Sequence, residues 1–220
     1  ELPRMSTEEV LKAMNAGAWI VDLRTRSSWA AAHVPGTMSF GIDGSMATYF
    51  GWMFPYEKQL VLMSDQASDV AEAQRELVRI GIDRPSGSFV GNVAEFDNSK
   101  TTRTVKFEDV PAVIGTPGVH VLDVRRTSER EASHIEPSLH IPLHELEGRV
   151  NELPTEGEIW VHCAGAYRAA AALGIIENSN RTAVLINEPY EACLSVNGLN
   201  IVTGHMDAGP VSPSDVVASA

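Results

Sequence analysis

Cysteine is scarce: the 220 residues hold two, Cys163 and Cys193. Two thiols in stretches of unlike character cannot build the disulfide framework of a small secreted scaffold, so free thiols in a reducing cytoplasm are expected. Long apolar runs are lacking as well. The stretch 169–176 falls far short of the roughly 20 residues a bilayer-spanning helix requires, and no basic-then-apolar leader opens the sequence at Glu1, so no membrane contact is expected. Positive charge is short too, with 17 Lys and Arg against 29 Asp and Glu, a formal charge of -12. That balance argues against nucleic acid or an anionic membrane as partner, since both need a basic footprint. The deficit is uneven: 9 basic against 13 acidic residues in 1–100, but 8 against 16 in 101–220. An anion site in the second half therefore has to rest on local dipoles. Without an initiator Met, the sequence reads as a fragment or a processed product.

What the chain does have is a globular composition, 44% hydrophobic and 21% charged, and a length that suits two domains of about 100 residues. It also has an internal echo. The run Trp19-Ile20-Val21-Asp22-Leu23-Arg24 returns as His120-Val121-Leu122-Asp123-Val124-Arg125, and Asp22 to Asp123 is 101 positions, as is His33 to His134. After each Asp-x-Arg comes a helix-like polar segment and then the His. Short β-rich runs separated by helical patterns are the signature of a mainly parallel sheet with helices on both faces. The expectation is an α/β doubly wound fold, twice: residues 1–100, residues 101–206 and a loose tail over 207–220, with a polar linker at 98–104. Strands are expected near 18–23, 60–63, 88–91, 119–123, 159–162 and 183–187, and helices near 6–16, 68–80, 144–151 and 167–177.

In an open α/β sheet the ligand site lies beyond the carboxyl ends of the strands. That puts Cys163 in the privileged place, after the strand at 159–162 and before an Ala-rich helix. If Ala164, Gly165, Ala166, Tyr167 and Arg168 curl around the sulfur, their backbone N–H groups form an anion nest at a positive helix end and keep a thiolate at neutral pH. A buried structural cysteine at a strand end is the competing reading.

Asp123-Val124-Arg125, Glu129, His134-Ile135, Ile141-Pro142 and the loop from Cys163 to Arg168 together resemble the ordered motifs of the rhodanese family of sulfurtransferases. The likeness spans nearly the whole second half, and a weaker copy covers the first. It is nearest to the tandem rhodanese modules that follow a metallo-β-lactamase-like domain in persulfide-handling enzymes; the metal signature of that domain is absent here, so such a domain would lie upstream or act in trans. The resemblance implies a sulfurtransferase with no cofactor and no metal. Cys163 would take sulfur from thiosulfate or a small persulfide and pass it to a thiol or another acceptor. Arg168 would meet the donor's anion or lock the loop through a carboxylate, and Asp123, Arg125 and His134 would brace it from behind. Two departures stand out. Ala166 sits where the family usually has Gly, a cost of about 1 kcal/mol if that residue must adopt a positive φ, and His134-Ile135-Glu136-Pro137 replaces the usual His-Ile-Pro-Gly.

In the first half Ser64 falls opposite Cys163 and Asp69 opposite Arg168, so this copy is expected to be catalytically silent and to support or cover the other. An enzyme alternative is a Cys-dependent phosphatase or arsenate reductase, whose Cys-to-Arg loop is one residue longer. A non-enzymatic alternative is a regulatory or scaffold module. His162 should pack behind the sheet, since adjacent strand side chains point to opposite faces. His140 and His144 have helical metal-pair spacing but flank Pro142, which breaks the helix that spacing needs. Cys193, beyond the last expected strand, is a spectator or a second sulfur-handling thiol. The four Trp residues are taken as core or interface anchors.

Overall fold

The computed structural model describes residues 2–42 and 45–204; the tail expected at 207–220 lies outside the described residues. The first half builds a sheet from β1 (Trp19–Asp22), β2 (Met38–Ser39), β3 (Leu60–Ser64) and β4 (Gly87–Val90), in the order β2-β1-β3-β4, with every pairing parallel. The second half builds one from β5 (Thr104–Val105), β6 (Val119–Asp123), β8 (Leu139–His140), β9 (Glu158–His162) and β10 (Thr182–Ile186), in the order β5-β10-β9-β6-β8, again parallel throughout. β7 (Ser133–Glu136) pairs antiparallel with β11 (Asn200–Thr203) at the side. The near-continuous apolar runs of β1, β3 and β9 follow from this arrangement, because a parallel sheet covered on both faces leaves no solvent side for polar residues. This is an α/β fold of mainly parallel sheets flanked by helices.

The helices are α1 (Thr7–Asn15), α2 (Arg26–Ala31), α3 (Met46–Met53), α4 (Ala67–Val78), α5 (Thr127–Ala132), α6 (Leu146–Arg149) and α7 (Tyr167–Asn178). α1 starts at a capping box in which Glu9 N–H donates to Ser6 Oγ and Ser6 N–H to Glu9 Oε2. The helix expected over 144–151 is broken up. A 3₁₀ turn at Leu143–Glu145 leads into the four residues of α6 and another 3₁₀ turn at Val150–Glu152. Gly148 at its centre is a poor helix former. The stretch 98–104 is not a free tether either: Lys100 and His33 exchange both backbone hydrogen bonds at 2.9 Å, and Thr104 opens β5 on the edge of β10. α3 and the two-residue strands carried no clear signal in the sequence.

α7 organises the molecule. Nine consecutive residues from Arg168 to Ile176 are buried, because the helix packs on β9 and β10 of its own sheet and on β2 of the other. A helix buried on every side needs no polar face, which explains its Ala-rich sequence. One hydrophobic core consequently runs from Trp19, Phe40 and Leu62 in the first half to Leu122, Val161 and Leu173 in the second.

The internal echo has a geometric counterpart. Asp123 takes Nε and Nη2 of Arg125, and Arg125 Nη2 also donates to the Ser133 carbonyl at 2.7 Å. Asp22 takes the same atoms of Arg24, whose Nη2 donates to the Ala32 carbonyl at 2.8 Å. His33 Nδ1 lies 3.0 Å from the Trp29 carbonyl and His134 Nδ1 3.1 Å from that of Arg130.

Candidate active site

β9 is flanked by β6 and β10, so its end points into the middle of the sheet's carboxyl edge. Cys163 leaves that end and the chain turns at once into α7. The turn is tight enough to drive Ala166 into the left-handed region, at φ 64° and ψ -15°. From the other side, Tyr190 N–H in the 3₁₀ turn Tyr190–Ser195 donates to the Ala164 carbonyl at 2.8 Å.

The sulfur sits inside this turn. Ala169 N–H reaches Cys163 Sγ at 3.4 Å, and the amides of Gly165 and Arg168 add to it. The N–H that bonds the sulfur, that of Ala169, lies in the first turn of α7, one residue beyond the run 164–168 expected from the sequence. The surroundings of the sulfur oppose the resting thiolate expected from the sequence. Cys163 is 1% exposed, and burial pushes its thiol pKa up more strongly than the amides and the nearby Arg168 charge pull it down.

Arg168 Nη1 and Nη2 each donate to Glu129 on α5, both at 2.7 Å, a two-pronged ion pair that only a guanidinium can make. The pair holds the Glu129 carboxyl down at about 2, and the carboxylate in turn pushes the Arg168 pKa up against its burial. Both prongs of the Arg168 guanidinium are thereby taken by a carboxylate. Glu129 also accepts from Arg126 N–H at 3.0 Å.

Behind the loop, Asp123 is fully buried. Burial works against its ionisation, yet the Arg125 hydrogen bonds prevail and its pKa is lowered. Arg125 lies with its Cζ 3.6 Å from the Tyr190 ring centroid, so the brace reaches the same turn that holds Ala164. His134 bonds the Arg130 carbonyl at the end of α5. His162 is buried and stacks on Tyr190, with ring centroids 5.6 Å apart. Neither of its nitrogens meets a hydrogen-bond partner among the described residues, and burial brings its pKa down to about 4. His140 Nε2 lies 3.0 Å from the Arg125 carbonyl. Cys193 is buried in the core behind the sheet with Phe107, Trp160 and Tyr190, and burial pushes its thiol up to about 11.

Sequence reasoning missed what the first half brings. Tyr167 OH donates to the Gly41 carbonyl at 2.8 Å. Tyr49 of α3 lies 5.7 Å from the Tyr167 ring and 5.5 Å from Arg168 Cζ. No motif marks these residues, because they act through tertiary placement. In the first half's own loop, Ser64 Oγ donates to Asp69 Oδ2 at 2.8 Å and Gln66 N–H donates to Ser64 Oγ at 3.2 Å.

Residues 107–195, which contain this loop and its braces, match the family model described as Rhodanese-like domain. A curated relative in Bacillus subtilis, "Putative sulfur carrier protein YrkF", is 43% identical over 54 residues, 24% of this chain and 29% of its own length. Another from the same organism, "Uncharacterized protein YqhL", is 30% identical over 64 residues, 29% of this chain and 51% of its own length. The chain thus spans about half or less of the length of both. Among solved structures, a rhodanese-like domain protein from Staphylococcus aureus is 20% identical, covering 46% of this chain and 100% of that one, with a TM-score of 0.41. A thiosulfate sulfurtransferase from Pseudomonas aeruginosa is 16% identical, covering 92% of this chain and 44% of that one, with a TM-score of 0.38. No helix among the described residues is long and apolar enough to cross a membrane.

Proposed function

We propose that the chain is a sulfurtransferase in which Cys163 carries sulfane sulfur. The observation that supports it most is the Cys163 sulfur at the end of the central strand, with the first-turn amide of α7 directed at it. Amides so placed stabilise negative charge on sulfur, whether that of the thiolate or of a terminal persulfide. With a persulfide donor, the Cys163 sulfur attacks the donor's outer sulfur and forms a new S–S bond. The donor's own S–S bond breaks, and its inner sulfur leaves as a thiol carrying the proton Cys163 gave up. With thiosulfate the leaving group is sulfite. An acceptor thiolate then attacks the outer sulfur of the Cys163 persulfide and restores the thiol. The likeness to a relative named as a sulfur carrier fits this reading.

In this proposal the two halves are tandem copies of one module. The first is silent, because Ser64 and Asp69 replace the nucleophile and the arginine. Small persulfides or thiosulfate serve as donors, and a thiol serves as acceptor. A metallo-β-lactamase-like partner, fused upstream or acting in trans, would share the same persulfide pool, and two free thiols suit a reducing cytoplasm. Phosphate chemistry is disfavoured because Arg168 is already bound at both prongs by Glu129. A regulatory module is the second reading, favoured by a thiol that is 1% exposed and raised in pKa. Incubation with glutathione persulfide or thiosulfate, followed by intact mass, separates the two. One added sulfur, lost in Cys163→Ser, is expected. No adduct, or an adduct that survives the substitution, rejects sulfur transfer at this residue.

A further inference from the structure

A sulfur that is 1% exposed must be uncovered before a donor can reach it. The walls given by its own half resist movement: β9 is paired on both sides, and α7 is buried along most of its length. What the first half adds to the Cys163 loop, at Tyr167 and Arg168, is lighter. α3 has eight residues, its cap residue Ser45 makes no side-chain cap bond among the described residues, and its outer residue Trp52 is exposed. α3 packs on the turn Leu143–Glu145 and on α4. Tyr49 and Trp52, three apart on one helix face, lie 5.4 Å apart. Tyr49 meets Arg168 and Tyr167 of the Cys163 loop, and Trp52 lies 5.8 Å from Cζ of Arg126, which precedes the α5 helix holding the Arg168 partner Glu129. One face of α3 thus meets Arg168 directly and meets Arg126, whose N–H donates to Glu129.

We propose that Tyr49 is a positioning residue for the Cys163 loop, and that through it the first half sets how readily a donor reaches the sulfur. This rests on the reading of Cys163 as the sulfur-bearing residue. The ring supplies a π face for the Arg168 guanidinium and a wall for Tyr167. Phenylalanine would keep both of these roles and leucine neither.

The test is site-resolved alkylation of the full chain by iodoacetamide at neutral pH, read by peptide mass at Cys163 and Cys193. In Tyr49→Leu the Cys163 rate should rise about five-fold, the ratio that corresponds to losing one cation–π contact, while Tyr49→Phe stays at the wild-type rate. Cys193, buried in the other core, is the internal control. Loosening of the cap raises Cys163 alone, whereas general unfolding raises both, and an equal rise at both overturns the proposal. Tyr167→Phe, which removes the hydrogen bond to Gly41 while keeping the ring, should raise Cys163 about two-fold and decides the matter should Tyr49→Leu fail to fold. Wild-type rates in the folded variants overturn it. Alkylation needs no sulfur donor, so a wild-type chain that takes up no sulfur rejects the sulfurtransferase reading while leaving this comparison to be read by itself.

Discussion

Ala166 holds a left-handed backbone at φ 64° while being 1% exposed. Glycine there would relieve roughly 1–2 kcal/mol of strain. It would also give up a buried methyl worth about 0.8 kcal/mol and add unfolded-state entropy of about 0.5–1 kcal/mol. These nearly cancel, so Ala166→Gly should change stability by less than about 1 kcal/mol in urea unfolding. Ala166→Val, which sets a β-branched residue at positive φ in a filled site, should cost about 2 kcal/mol or more. His162 makes a sharper prediction. Its pKa falls from 6.5 to about 4 on folding because burial penalises the cation. Between those values the unfolded chain binds a proton that the folded chain refuses. Stability is therefore complete above pH 6.5 and declines as the pH drops toward 4, by roughly 3 kcal/mol in all. His162→Phe, which suits the stack between Phe107 and Tyr190, should flatten that decline; an unchanged slope between pH 6.5 and 4 would place its origin elsewhere.

At the scale of the element, α7 is both the support of the sulfur loop and the contact between the sheets. Gly174 marks the closest approach: a Cβ there would stand 2.5 Å from the Thr37 carbonyl oxygen and 3.2 Å from Met38 Cα. In an isolated helix, Gly to Ala would gain about 1 kcal/mol. Here the added methyl meets backbone that cannot yield cheaply, and overpacking of this kind costs about 1–3 kcal/mol. Gly174→Ala is therefore expected to lower the thermal midpoint despite its better helix propensity, and a raised midpoint would mean that β2 gives way. The four consecutive alanines from Ala169 to Ala172 are buried on the same helix.

For the whole molecule, the question is whether the halves unfold together. His33 is fully buried, with Nε2 3.0 Å from Glu177 Oε2 on α7, while Thr102 and Lys100 both contact Glu177 Oε1 at 3.0 Å. Burial raises the cost of ionising Glu177, but these partners prevail and its pKa is lowered. Removing one member of a buried pair costs about 3–5 kcal/mol, so Glu177→Ala should destabilise by an amount of that order. The shared core predicts one cooperative transition. Fluorescence, with Trp19 and Trp29 in the first half and Trp160 in the second, and far-UV circular dichroism should trace coincident urea curves. Separated curves would show that the core spanning the halves contributes little.

Much of the fold could be read from local pattern. The apolar runs ending at Asp22 and Asp123 are strands because sheets covered on both faces demand such runs, and the Ala-rich segment after Cys163 is a helix because its residues propagate one. The position of Cys163 at a strand end followed from spacing over a few residues, and the pairing of Asp123 with Arg125 from the family resemblance. What spacing could not supply was the surroundings. The amide of Ala169, the grip of Glu129 on Arg168, and the approach of Tyr49 and Gly41 from more than a hundred positions away depend on how α7 lies between the sheets. So does the state of the thiol: the sequence by itself determined that backbone dipoles would favour its ionisation. Only the tertiary structure decided that burial opposes them more strongly, because desolvation depends on every group that closes around the sulfur.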